Sequence, residues 1–531
     1  MRLLILVAVF LTFAAGAPAQ SALNTDPPLG IVPTTLKLQT ILQLNQKAVG
    51  TSNSTQHVRL ENWEVTAGGL SGTLVRLESG GDYREDRTFG PFHTAQGSYR
   101  GVAWQQDEDG LTVVTTGIHR RDTVDLAALE HAPNPDSGVW LLGLDPSENA
   151  YVVKVAPTGG RIEYLFFDKD THLVVRAERA FEDQRVVTTY DDFRATNGET
   201  IAWHRASADG RPFNDEDYRL QALAYLASVD PARFQAPPSD RSHLEMSAAR
   251  VQLPVKVLAD RIIVMGRING RSVDFQLDSG ASEILLNNAV ANALQLPEYG
   301  QQTQVTAGTY TARHSIVQRV DFGGATLTNV AVTTAPFHTW ADETTPVAGL
   351  LGFGFIANCV VHVDYVQGRV EAIDPASFEP PSGAIALSIR LDDQVPVITV
   401  KIGTATSDRF ILDTGADRST LFSAFVQAHP LETADQGLGQ QYTEAYPYFD
   451  KVSGVGGSVS VTRTQVSSLA IGTTVFNRWL FSVVHEAPSF EGEDYDGLIG
   501  QDVLRNFDVY LDYPHSKIYL VPNDRYRQRY G

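Results

Sequence analysis

The chain has 531 residues, 43% apolar and 20% charged, a composition that excludes a disordered or fibrous protein and leaves room for two to four folded domains. Its formal charge of −20, with no basic cluster along the chain, excludes nucleic acid and anionic membrane surfaces as partners. A single cysteine, Cys359, excludes an intrachain disulfide and a thiolate metal cluster, and its place before the strand-like run VVHVDY makes it a small core residue.

Residues 1–19, MRLLILVAVFLTFAAGAPA, carry a basic Arg2, an apolar run too short to span a bilayer, and small residues on either side of Pro18. This is the pattern of a secretory leader cleaved after Ala19, and it predicts a periplasmic or secreted protein. Next, TTLKLQTILQLNQKAVG spaces Leu36, Leu38, Ile41, Leu42 and Leu44 for a helix that stops at Gly50. From His57 to about Arg205 the pattern changes to short alternating runs, LTVVTTGI, YVVKVAP, RIEYLFFD and HLVVRAERA among them, broken by Gly, Asn and Asp. One helix followed by many antiparallel strands predicts an open barrel or strongly curved sheet. The turn residues Asp168 to Thr171, Tyr190 to Phe193 and Asn197-Gly198 resemble those of the periplasmic lipoprotein carriers of the LolA/LolB type. That resemblance implies a half-barrel over residues 20–235, with lipid or lipoprotein as its ligand; the other reading of the region is a β-domain that packs on or positions the C-terminal half of the chain.

QAPPSDRS, residues 235–242, opens a linker over 236–250. Beyond it the chain repeats itself. FQLDSGAS, with Asp278, Ser279 and Gly280, returns as FILDTGAD, with Asp413, Thr414 and Gly415, and the twenty residues from Ile263 align without a gap on those from Ile398. Each half then carries an apolar, apolar, Gly segment, Leu350 to Gly352 and Leu498 to Gly500, which runs into a strand ending in Asp-Tyr at 364–365 and 512–513. The Asn269-Gly270 pair predicts a hairpin turn just before the strand that delivers Asp278. The proline-rich DPASFEPPSG separates the halves, 251–380 and 381–531.

These paired motifs resemble the retropepsin-like and pepsin-like aspartic proteases. The resemblance covers residues 251–522 and implies a mainly β, bilobal fold in which one chain supplies both halves of a single site, so that a monomer suffices. It implies that Asp278 and Asp413 are the catalytic pair, and that Ser279, Gly280, Thr414 and Gly415 hold it. It places mobile hairpins over the cleft, one with Gly308, Thr309 and Tyr310 and one with Gly454 to Gly457; Tyr310, Gly456 and Asp417 are the expected substrate contacts. After Gly500 the chain reads Gln501-Asp502, where retroviral enzymes have Arg-Asn, so the retroviral salt bridge to the position of Asp417 is not carried over.

The chemistry fits those residue types. Two carboxylates a hydrogen bond apart cannot both ionise cheaply, so the pair keeps one proton; one member draws a proton from water while the other protonates the scissile carbonyl. Glycine suits the sharp approach of backbone to such a pair. No cofactor is needed, and the histidines show no metal-binding spacing: His362 reads as a strand residue and His485 as a loop one. The expectation is an aspartic endopeptidase acting on peptide or protein. The alternative is a module that grips peptide or lipoprotein through a protease-like fold without cutting.

Overall fold

The computed structural model describes residues 27–50, 58–115, 138–156, 162–181, 184–257, 261–305, 309–336, 347–435, 451–454, 457–484 and 495–530. These fall into two compact units, one built from the chain up to Ser239 together with Gly300–Thr303, the other from Asp240–Tyr299 and Gln304 onward. The molecule is mainly β. No described helix is long and apolar enough to cross a membrane. Residues 1–19, where a leader is expected, and His485 lie outside the described residues.

In the first unit the helix Leu38–Val49 ends at Gly50, whose φ of 86° and N–H bonded to Gln46 O are what a glycine stop provides. Thirteen strands between Val58 and Leu226 form one antiparallel sheet. It runs from Thr112–Val114 back to Val58–Ala67, crosses to Glu216–Leu226, and steps back to Val139–Asp145. Asn197 and Gly198, with φ of 53° and 86°, make the turn between Gln184–Thr196 and Glu199–Ala208, as the Asn-Gly pair predicts.

Residues directly opposite across strands share a face, and the register shows how that face is divided. At one end Tyr151, Val153 and Phe167 pack with Ile41 of the helix. Further along, Tyr190 faces Arg205, which faces Tyr218. Glu61, Arg76 and Glu85 then stand in a row across three neighbouring strands. All three are buried: Arg76 donates to Glu85 at 2.6 Å, and the Arg205 guanidinium lies 4.9 Å from the Trp63 ring and 4.2 Å from that of Tyr218. One end of the face is apolar under a helix, and the other is a ladder of compensated charge.

The second unit realises the internal repeat as matching strand systems. Arg271–Leu277 enters the first half after the Asn269-Gly270 turn and pairs in parallel with Gly349–Leu351; Ala405–Leu412 does the same with Gly497–Ile499. Phe275 faces Gly349 and Phe410 faces Gly497, so the two registers are the same. A six-stranded sheet takes three strands from each half and joins them where Val360–Asp364 pairs antiparallel with Phe507–Asp512. Cys359 is fully buried beside this junction and His362 lies on its strand.

Candidate active site

Each aspartate sits at the mouth of a strand whose far side is the apolar, apolar, Gly segment of its own half. Asp278 N–H donates to Leu351 O at 3.1 Å and Asp413 N–H to Ile499 O at 2.9 Å, which fixes where each loop leaves its sheet. Phe353 N–H and Gln501 N–H then hold Ala281 O and Ala416 O, at 3.0 and 2.8 Å, and close the two loops in the same way.

The loops are tied across the axis by four buried hydrogen bonds. Ser279 N–H donates to Thr414 Oγ1 and Thr414 N–H to Ser279 Oγ, both at 2.9 Å. The hydroxyls in turn donate onward, Ser279 Oγ to Leu412 O at 2.7 Å and Thr414 Oγ1 to Leu277 O at 3.1 Å. Serine and threonine alone among small residues can accept from one backbone and donate to another at once, which is what this exchange uses.

This clasp brings the acids together. A Cβ at Gly280 would fall 2.7 Å from Asp413 Cγ, and one at Gly415 would lie inside the contact distance of the Asp278 carboxyl. Each carboxyl therefore rests against the glycine of the opposite loop, and only glycine leaves it room. Gly280 N–H donates to Asp278 Oδ1 at 2.9 Å; Gly415 N–H and Ala416 N–H donate to Asp413 Oδ1 at 2.7 and 3.2 Å. The other oxygen of Asp413, Oδ2, is buried.

Burial pushes both carboxyls up, Asp278 well above the usual carboxylate range because the Asp413 charge opposes its ionisation as well. For Asp413 the lift is partly offset by the Gly415 N–H and by a hydrogen bond from Asp278. Neither acid has an ion-pair partner among the described residues. A pair so placed holds one proton between its members. No cluster of three or more metal-ligating side chains occurs among the described residues.

Of the other expected site residues, Tyr310 is buried, packs with Ala281 and Leu285, and donates its hydroxyl to Gln304 at 2.6 Å. Asp417 is exposed, two residues past Gly415. Gly456 and Gly308 lie outside the described residues, although the strands that flank Gly456, Lys451–Gly454 and Gly457–Ile471, are paired as a hairpin. Asp502 accepts from Ser419 N–H and Oγ, at 3.0 and 2.7 Å, and from Val503 N–H at 3.0 Å.

Sequence reasoning missed three residues. Gln501 Nε2 donates to Thr414 O at 2.6 Å, Gln276 Nε2 to Gly415 O at 2.8 Å, and the Tyr513 hydroxyl to Ser279 O at 3.3 Å. A signal for the glutamines was present in the repeat: where the second half has Ile411, the first has Gln276, and where the first has Phe353, the second has Gln501. Polar residues at positions that are apolar in the sister half mark a place where the two loops are treated differently.

Comparison with known proteins bears on the same residues. The solved aspartic proteinase of Irpex lacteus is 13% identical, with 52% of this chain and 98% of that one covered at a TM-score of 0.32. The Basic 7S globulin of soybean is 11% identical, with 53% and 96% covered at 0.33. A LolA superfamily protein of Nitrosomonas europaea is 13% identical, with 38% and 98% covered at 0.29. No curated protein matches the chain. Residues 264–355 and 398–503, which hold both aspartates and both supporting segments, match the family model described as Aspartyl protease, and in these two segments the chain is similar to that family.

Proposed function

We propose that the second unit is an aspartic endopeptidase in which a water held between Asp278 and Asp413 attacks the peptide carbonyl. The observation that carries this reading is the crossed placement of the acids, each carboxyl over the opposite glycine, at the centre of a clasp that leaves both buried without a cation. As the water oxygen bonds to the carbonyl carbon, its proton passes to the ionised carboxylate and the proton of the other carboxyl passes to the carbonyl oxygen. The tetrahedral diol then collapses with transfer of a proton to the leaving amine. Ser279 and Thr414 act by holding the two carboxyls at one separation through the cycle.

In this reading the hairpins that bear Tyr310 and Gly456, together with exposed Asp417, meet the peptide. One chain suffices for the site. In the same reading a secretory leader at residues 1–19 sends the enzyme to the periplasm or outside the cell, and the first unit presents or binds a partner, with lipid or lipoprotein the ligand the carrier resemblance implies.

The test is cleavage of unfolded casein between pH 3 and 8, with and without pepstatin. Pepstatin-sensitive cleavage lost in both Asp278→Asn and Asp413→Asn, with far-ultraviolet circular dichroism unchanged, is the expected result. Cleavage that survives either substitution refutes the reading. Tight binding of casein without cleavage would leave a peptide-binding module.

A further inference from the structure

The clasp is symmetric, but what lies behind it is not. In the second loop the Thr414–Gly415 peptide accepts from Gln501 through its carbonyl, at 2.6 Å, and donates from its N–H to Asp413 Oδ1, at 2.7 Å. The next peptide repeats the arrangement: Gly415 O accepts from Gln276 at 2.8 Å while Ala416 N–H donates to the same oxygen of Asp413 at 3.2 Å. A peptide group that accepts at one end is polarised and donates more strongly at the other. The two main-chain donors of its own loop to Asp413 are therefore each strengthened from behind by a side-chain amide.

In the first loop the equivalent positions cannot do this. Ile411 stands where Gln276 does, Phe353 stands where Gln501 does, and neither carries a donor. Ser279 O is met instead by the Tyr513 hydroxyl at the longer distance of 3.3 Å, from a ring that packs 6.3 Å from Phe353. The Tyr513 phenol is itself pushed well up by burial and by both carboxyls, so it stays neutral and adds no charge of its own. The charged neighbours Asp417 and Arg418 act on Asp502.

We propose that Gln276 and Gln501 make the pair unequal, holding Asp413 ionised as the base that takes the proton from water and leaving the shared proton on Asp278 as the acid that gives it to the carbonyl oxygen. Atoms balance: water loses its proton to Asp413 as its oxygen bonds to carbon, Asp278 loses its proton to the carbonyl oxygen, and the product is a neutral diol with the proton now on Asp413. Neither glutamine touches the reacting atoms; both are positioning residues that act through a peptide group. The roles rest on the hydrolytic reading, whereas the inequality of the two acids does not.

The experiment separates the two. In Asp278→Asn the remaining acid is Asp413, in Asp413→Asn it is Asp278, and each then faces a neutral amide of the same shape. Carbon-13 resonances of labelled aspartate carboxyls give the titration of each. Asp413 is expected to ionise at least about one pH unit below Asp278, a tenfold difference in proton affinity. Adding Gln276→Met and Gln501→Met, which keep length and remove the donors, is expected to bring the two together. In chains with both acids present, the same replacements are expected to move the acidic limb of kcat/KM upward by a similar amount, which loss of packing alone would not do. Should buried Gln501→Met fail to fold, half-buried Gln276→Met alone must still narrow the gap. Equal titrations, the reverse order, or an order that ignores the glutamines would overturn the proposal. A chain that cleaves nothing would sink the hydrolase reading and leave the titration order as it is found.

Discussion

In the first unit Glu85 has no exposed surface, and in the second neither does Asp413, yet the two carboxyls are driven in opposite directions. Burial pushes Glu85 up, and Arg76, Arg87 and Arg205 more than reverse it, so it stays below the usual carboxylate range. Burial pushes Asp413 up as well, and no guanidinium answers. Asp278 shares its situation. Asp502, buried and held by Ser419, is raised to about 6 by burial even though the Arg418 charge favours its ionised form. A buried acid with a cation is a fixed charge that ties strands together. A buried acid without one keeps a proton within reach of ordinary pH, which is the property that acid–base chemistry needs. Glu216 is an intermediate case, raised by burial although Arg87 and Arg205 lie close.

The comparison breaks most plainly at the aspartates. Asp413→Asn is expected to lower kcat/KM for casein by about 10³-fold or more while the second unit's unfolding midpoint holds or rises, because the change removes a buried charge rather than a partner. In the first unit the reverse is expected. Glu85→Gln or Arg76→Met strands the opposing charge and should cost about 3–5 kcal/mol in urea unfolding of that unit, with cleavage by the second unit unchanged. Equal tolerance of Arg76→Met and Asp413→Asn would show that the ion ladder is not needed for folding.

The pH dependence sharpens the contrast through its sign. Asp502 has a folded-state pKa above its unfolded one, so the folded state binds the extra proton and stability falls as pH rises from about 4 to about 6. Asp502→Asn should remove that slope and stabilise the second unit by about 3 kcal/mol at neutral pH, less what the Ser419 hydrogen bonds return, with the gain vanishing below about pH 4. For Glu85 the folded-state pKa is depressed, so its contribution is full above its unfolded value and is lost as pH falls through the folded one; the cost of Glu85→Gln should shrink in acid. Urea unfolding of the two variants at pH 4 and 7 checks both signs at once.

The smallest effect belongs to a surface version of the compensated type. His204 sits between Asp191 and Asp217, at 2.7 and 2.6 Å, and its pKa is raised chiefly by the hydrogen bond to Asp217. Its contribution is present below the unfolded value and lost as pH rises past the folded one. His204→Gln should change stability by well under about 1 kcal/mol at pH 6 and by nothing measurable at pH 9, since solvent screens the pair.

Much of the candidate site's geometry was legible because its signals are local. The tripeptides at 278–280 and 413–415, the supporting segments, and the Asn-Gly turns at 197–198 and 269–270 each state a backbone requirement within a few residues. The repeat then paired the two halves without any knowledge of contacts. The ladder of Glu61, Arg76 and Glu85 was not legible in the same way. In sequence these are ordinary charged residues of alternating strands, and their burial depends on the register of three strands in a sheet of thirteen. The contact of Tyr310 with Gln304 was likewise not legible, since it depends on how its hairpin packs over Ala281.

The amino-acid order alone determined that two acids leave matching strands beside matching glycines, since strand alternation and glycine's conformational freedom are properties of short stretches. Tertiary structure alone decided what answers each acid. Whether a carboxylate meets an arginine, another carboxylate, or a peptide polarised by a glutamine depends on groups brought near by folding, and in a medium of low polarity that choice of neighbour sets where the proton rests.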